Sequence, residues 1–196
     1  MENIKLPEVE ISEIGVEEAL KRRKSTRDYK DEKLTIKEIS QLLWACDGKN
    51  SKGGRTSPSA GATYPLEIFL IAGEIEKIEK GLYHYNFGEH SISLIKKGDL
   101  RNEISKSAYE QRCLKIAPAI VVISGIFEKT TGRYGERGKR YVYMEVGHCG
   151  QNLHLQAEAL SLGIVMVGAF DDEKVKGVLG IGEDVFYLCP VGKKNE

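Results

Sequence analysis

Four cations and two hydroxyls stand side by side in Arg22-Arg23-Lys24-Ser25-Thr26-Arg27. That combination at the end of a short amphipathic segment suits a phosphate, which takes charge-assisted hydrogen bonds from guanidinium and ammonium groups. Further on, Ser57-Pro58-Ser59-Ala60-Gly61-Ala62-Thr63-Tyr64-Pro65 is a proline-bracketed run of small residues leading straight into the strand-like Leu66–Ile71. Small residues let backbone N–H groups approach something flat or something charged. A third set, Pro190-Val191-Gly192-Lys193-Lys194, adds cations just past the last expected strand. Taken singly these are a basic helix end and an ordinary loop; taken together they point to a phosphorylated planar ligand.

The elements that must position these groups follow an alternating helix and strand rhythm. Residues 1–15 read as an extended arm, and Val16–Arg23 opens a short helix whose cations fall in its last turn, where the macrodipole favours them. Thr35 and Glu38 form a capping box, and Ile36, Ile39, Leu43 and Cys46 mark one face of a helix over 35–46 that stops at Gly48. Residues 49–56 follow as a flexible, acid-free loop. Strands are expected at 66–73, 82–87 and 91–96, the last two as a hairpin through Gly88-Glu89-His90, then a helix over 99–116 and a buried, β-branched strand over 118–124.

Residues 128–140, glycine-laced and basic, read as a mobile surface segment that leads to a long helix from about Tyr141 to Ser161. Val142, Val146, Cys149, Leu153, Gln156 and Leu160 make one seam of that helix. Tyr141, Glu145, His148, Asn152, Leu155 and Ala159 make another. Two seams imply one side buried by the fold and the other by a partner subunit. Gly163 is read as the C-cap, followed by a strand over 164–167, a helix over 172–179 and a strand over 185–189.

A length of 196 residues and a 41% hydrophobic content fit a single domain spanning 1–196. Net charge is zero, so no global basic field draws the protein to nucleic acid or to anionic lipid. The first residues lack the basic start and apolar run of a signal peptide, and no stretch has the length of a membrane span, so a cytoplasmic protein is expected. Cys46, Cys113, Cys149 and Cys189 sit among apolar neighbours and read as buried free thiols of a reducing compartment.

Other motifs fail on context. Glu145-x-x-His148 has the spacing used by di-iron bundles, but no second copy occurs, so it reads as a packed, hydrogen-bonded pair. His84, His90 and His154 stand apart from any ligand pattern, and no metal is expected. No Walker sequence or Gly-x-Ser-x-Gly elbow occurs, and Gly177–Gly182 follows a helix instead of preceding one. Trp44 is read as core.

In their order along the chain, a set of segments resembles the nitroreductase family of FMN-dependent oxidoreductases. The set is Arg23-Lys24-Ser25-Thr26-Arg27, Pro58 to Glu67, Gln111 ahead of Ala117-Pro118, Glu145-x-Gly147-His148-x-x-Gln151-Asn152, Leu162-Gly163, Val167-Gly168-Ala169-Phe170 and Pro190-Val191-Gly192. The likeness is greatest to the azoline-dehydrogenase branch, flavoenzymes that oxidise thiazolines and oxazolines in peptide natural products. It implies an α+β fold, a mostly antiparallel central sheet flanked by helices, with a long central helix at a homodimer interface.

The same resemblance implies FMN as cofactor. Arg23 and Arg27, with Lys193 or Lys194, would meet its phosphate, and Ser25 and the backbone around Lys24 its ribityl chain and ring. Gln111 would pair with the uracil-like edge of the ring, and Val167 and Gly168 would approach it near its reactive nitrogen. Pro58, Ser59, Ala60 and Gly61 would come from the partner protomer. Hydride would pass from NAD(P)H through FMN to a nitro, quinone-like or related small acceptor in a ping-pong cycle, with no dedicated catalytic side chain. Ala62 and Tyr64 replace the Asn and Gln of the mainstream pattern. That keeps open an FMN-dependent dehydrogenase of azolines or other heterocycles, and a non-catalytic flavin-binding protein is a third reading.

Overall fold

A computed structural model describes residues 3–195. Met1 and Glu2, at the head of the expected arm, and Glu196, at the end of the expected domain, lie outside the described residues. The expected α+β arrangement is present, built on a seven-stranded sheet in the order β1-β4-β3-β2-β5-β7-β6 in which every neighbouring pair is antiparallel. Its strands are β1 (Asn3–Lys5), β2 (Leu66–Ala72), β3 (Gly81–Asn86), β4 (Ser91–Lys97), β5 (Ala119–Gly125), β6 (Leu162–Ile164) and β7 (Asp184–Lys193).

All seven residues of β5 are buried, because both faces of the sheet are covered. Ala119, Val121 and Ile123 point into one apolar cluster with α2 (Ile36–Asp47) and α6 (Arg137–Ala159). Ile120 and Val122 point into the other, with α3 (Arg101–Ser107), α4 (Arg112–Ile116) and α7 (Asp172–Leu179). The period of two along a strand divides the core into two layers, and a strand buried on both sides can be apolar throughout. The Thr35–Glu38 capping box starts α2 as the sequence implies, with each side chain bonding the other's backbone N–H, and Gly48 ends it.

The helix expected over 99–116 is two helices. Tyr109 and Glu110 both take positive φ (56° and 58°), and the Ser105 hydroxyl donates to the Gln111 carbonyl at 3.0 Å, which turns the chain between α3 and α4. Residues 128–140 are helical where a mobile segment was expected, as α5 (Glu128–Tyr134) and the first turn of α6. Of the glycines that suggested mobility, Gly138 serves packing instead, while a Cβ at Gly132 or Gly135 would meet nothing within 4 Å. A Cβ on Gly138 would lie 2.8 Å from the Thr131 Cα, so its absence lets α6 lie directly against α5.

Nor is Gly163 a C-cap. The left-handed residue that ends α6 is Ser161 (φ 57°), and Gly163 lies within β6. A Cβ there would stand 2.5 Å from the Thr26 Cγ2, so the bare backbone admits the segment after α1 (Val16–Arg22). β7 also runs on through Lys193 rather than stopping at Cys189, which puts Lys193 in the sheet. Replacing Gly163 with Ala is therefore expected to destabilise the protein by about 1–3 kcal/mol through overpacking. Urea denaturation should show a lower midpoint at unchanged slope, and Thr26→Ser, which removes the Cγ2, should restore part of the loss.

Candidate functional site

Residues 23–30 run along the ends of β6 and β7 and extend the sheet. The Thr26 N–H donates to the Ile164 carbonyl at 2.9 Å and the Lys30 N–H to the Lys193 carbonyl at 3.0 Å, with bridges pairing Ser25 to Ile164 and Tyr29 to Lys194. The buried Tyr29 hydroxyl donates to the Thr26 carbonyl (2.8 Å) or the Pro190 carbonyl (2.9 Å) and fastens the segment to β7. The first and third cationic groups of the sequence are thus neighbours in space.

Their charges are not equally available. Arg22 is ion-paired to Glu18 at 2.6 Å, Lys193 to Glu38, and Lys194 to the buried Glu158 at 2.6 Å. Arg23, Lys24 and Arg27 have no ion-pair partner among the described residues. Burial lowers the affinity of His154 for a proton and the positive charge of Arg23 lowers it further, so the ring beside this group stays neutral near neutral pH. The result is a local surplus of positive charge at a half-buried to exposed site, with Ser25 exposed within it.

On the same side, the Gln111 amide donates to the Ala169 carbonyl at 2.8 Å and to the Ala108 carbonyl at 3.0 Å, tying the turn before α4 to the loop 168–170. Arg112 reaches Asp28 at 2.7 Å and joins that turn to the 23–30 segment. Val167 is buried and exchanges two 2.9 Å backbone hydrogen bonds with Leu188, while Gly168 is exposed beside the Tyr187 ring. Arg23, Lys24, Ser25 and Arg27 thus share the segment laid against the sheet end that carries Lys193 and Lys194, and the Arg112–Asp28 and Gln111–Ala169 contacts link that segment to the loop after Val167 that holds Gly168.

Pro58, Ser59, Ala60 and Gly61 do not join them within one chain. Their segment packs on α6, where the buried Ser57 hydroxyl donates to the Cys46 carbonyl (2.8 Å) and accepts from the Asn152 amide (3.0 Å) and the Cys149 thiol (3.2 Å). Gly61, Ala62 and Tyr64 have φ of 59°, 53° and 45°. Arg133 donates to the Gly61 carbonyl at 2.9 Å, Thr63 bonds Thr130 at 2.8 Å, and Ser59 Oγ accepts the Tyr64 N–H at 2.9 Å. The segment is stiff and strained, held by α2, α5 and α6.

Two further readings change. Glu145 and His148 are not a packed pair: Glu145 is buried with Oε1 unpartnered, and His148 is exposed. Trp44 is half-buried and lines an apolar cavity of about 550 Å³ formed with Ile14, Val16, Leu155 and Ala159, and no expected site residue lines it. Sequence reading missed the buried group Asp47, Arg55 and Glu145 under the 58–64 segment, since three charges from three elements share no spacing. All four cysteines are buried free thiols, as expected. No helix among the described residues is long and apolar enough to cross a membrane.

The nitroreductase family model matches residues 20–193. MJ1384 of Methanocaldococcus jannaschii, which carries a nitroreductase name, is 43% identical over 98% of this chain and 97% of its own length. The microcin B17-processing protein McbC of Escherichia coli is 28% identical over 77% of this chain, which spans 58% of McbC. A nitroreductase-named structure from Ralstonia eutropha superimposes with a TM-score of 0.86 at 24% identity, covering 99% of this chain and 90% of that one. A nitroreductase-named structure from Desulfovibrio desulfuricans, solved in complex with FMN, gives 0.67 at 17%, covering 94% and 89%. The chain belongs to the nitroreductase family and has its fold.

The Ser57 anchor supplies a direct test of how the 58–64 segment is held. Ser57→Ala leaves the Cys46 carbonyl and the Asn152 amide without their buried partner, and should cost about 1–3 kcal/mol in urea denaturation. An unchanged midpoint would show that the segment is held from α5 instead.

Proposed function

From its place in the nitroreductase family, we propose that this chain is an FMN-dependent oxidoreductase acting as a homodimer, with NAD(P)H as donor and a small nitro or quinone-like compound as acceptor. The observation that carries the reading is uncompensated charge: Arg23, Lys24 and Arg27 lack ion-pair partners among the described residues, while Arg22, Lys193 and Lys194 beside them are ion-paired. An FMN phosphate, close to two negative charges at neutral pH, is the missing counterpart.

The remaining residues fit the group unequally. Ser25, exposed between two of the cations, suits the ribityl hydroxyls. Gln111 already spends its N–H groups on two carbonyls, so it holds the 168–170 loop as well as facing the ring. Gly168, with no side chain, leaves its backbone open to a flat ligand. Lys193 and Lys194 fit less well as clamps, since each would have to leave Glu38 or Glu158; they set the local potential. Bound FMN would supply the hydride-accepting and hydride-donating chemistry, while the chain binds it, orients it and limits water at its edge.

Among the described residues no hydrogen bond or ion pair joins residues 58–61 to Arg23, Lys24 or Arg27 of their own chain, which supports their being offered to the partner's site. The exposed flank of α6, with Tyr143 and Met144 more than half exposed (57% and 51%), supports a partner covering it. A second reading, oxidation of a peptide-borne azoline or related heterocycle, is favoured by the likeness to McbC and by Ala62 and Tyr64.

On the first reading the purified protein is yellow, and saturating FMN raises its melting temperature. Arg23→Ala is expected to weaken FMN retention by about 10- to 100-fold, the worth of one charge-assisted contact, and unchanged affinity would remove Arg23 from the site. Stopped-flow spectra divide the alternatives. Bleaching by NADH or NADPH supports the first, bleaching only by a heterocycle supports the second, and absence of dye turnover with every donor would leave flavin binding without catalysis.

A further inference from the structure

Three buried ionisable groups converge under the 58–64 segment, apart from the residues expected to hold the cofactor. Asp47, the last residue of α2, is 1% exposed, and Glu145 of α6 is 2% exposed. Arg55, from the turn after α2, is ion-paired to Asp47 Oδ2 and donates to the Asp47 carbonyl at 3.2 Å. One atom of each, Asp47 Oδ1, Arg55 Nε and Glu145 Oε1, is buried without a hydrogen-bond partner. Two carboxyls share one guanidinium, so full ionisation would leave a net negative charge away from water, a costly state.

The group touches the overlying segment twice. The Arg55 guanidinium stands 5.2 Å from the Tyr64 ring centroid and 3.3 Å from that of Phe87. Glu145 faces the Ser59 hydroxyl, whose oxygen accepts the Tyr64 N–H. We propose that Asp47, Arg55 and Glu145 are positioning residues: a proton kept on the two carboxyls holds residues 58–64 in place, and its loss, which leaves two buried carboxylates to one guanidinium, loosens them. That these residues form a flavin wall rests on the proposed function; the cluster itself does not.

The surroundings agree. Burial pushes Asp47 up to about 7 against the pull of Arg55, with Glu145 and Glu67 raising it further and Lys129 of α5 lowering it. Burial likewise pushes Glu145 up to about 7, against Ser59 and Arg55. Tyr85 of β3 and Cys46 of α2 also face Asp47, and burial keeps both protonated. Glu67 of β2 is held down at about 2: burial opposes its charge, but hydrogen bonds from His84 and Lys129 prevail. Both cluster carboxyls keep their protons to higher pH folded than unfolded. Stability therefore falls as pH rises from about 4 to about 7 and stays low above that.

The single tryptophan reports on this region, because the Trp44 indole N–H donates at 3.0 Å to the Lys49 carbonyl, on the turn that carries Arg55. Melting of the full chain is followed by Trp44 fluorescence from pH 5 to 9, with and without FMN. The wild-type melting temperature should fall between pH 5 and 8. Glu145→Gln should flatten that fall and melt about 3–6 °C above wild type at pH 8. A variant that keeps the wild-type slope, or melts lower by the same amount at every pH, overturns the proposal. Should Glu145→Gln not fold, Asp47→Asn carries the same expectation and the same overturning result. The FMN dissociation constant should rise severalfold above pH 7 in wild type and stay level in Glu145→Gln. A titrating melt with a flat FMN profile overturns the positioning role, and absence of FMN binding at every pH rejects the cofactor reading while the melt still tests the cluster.

Discussion

The close approach of residues 23–30 to the ends of β6 and β7 is the contact on which the rest depends. It requires a missing Cβ at Gly163, because any side chain there would occupy the Thr26 methyl. Once the segment lies down, its backbone is satisfied by Ile164 and Lys193, Tyr29 fastens it, and three cations stand together without counter-charge. Like charges held at close range on a folded surface oppose folding unless a ligand offsets them. Their persistence next to lysines that are paired supports the proposal of an anion at this end of the sheet.

The long helix α6 divides the labour. Val142, Val146, Cys149, Leu153 and Ala157 seal one core layer. Its Glu145 faces Ser59 and its Cys149 and Asn152 anchor Ser57, so it governs the small-residue segment. Its carboxy-terminal half carries His154 and Glu158 beside Arg23 and Lys194. One rigid element thus fixes the separation between the cations and the 58–61 wall. On the proposed function, that separation is the physical reason for a second copy of the chain to complete each site.

Much of this was legible in the residues. The capping box at Thr35 and Glu38, the β-branched run of β5 and the core seam of α6 obeyed simple periodicities, because strong local preference and burial agreed there. The resemblance in segment order anticipated the fold. What misled was glycine. Gly132, Gly135 and Gly138 looked like mobility and proved to lie in or between two helices packed on each other, and Gly163 looked like a cap and proved to be a point of contact. Close approach of two backbones is a tertiary event and has no signature in one of them. The same holds for Asp47, Arg55 and Glu145, which meet only when α2, the following turn and α6 are assembled.

On the proposed function, the uncompensated cations of the 23–27 segment bind the phosphate of a flavin. This binding is tested most directly by comparing dissociation constants of the purified chain for FMN and for riboflavin, which differ only in that phosphate. FMN is expected to bind about 100-fold or more tightly than riboflavin at low ionic strength, with the gap narrowing as salt is added. Equal affinities for the two, at any salt concentration, would contradict it.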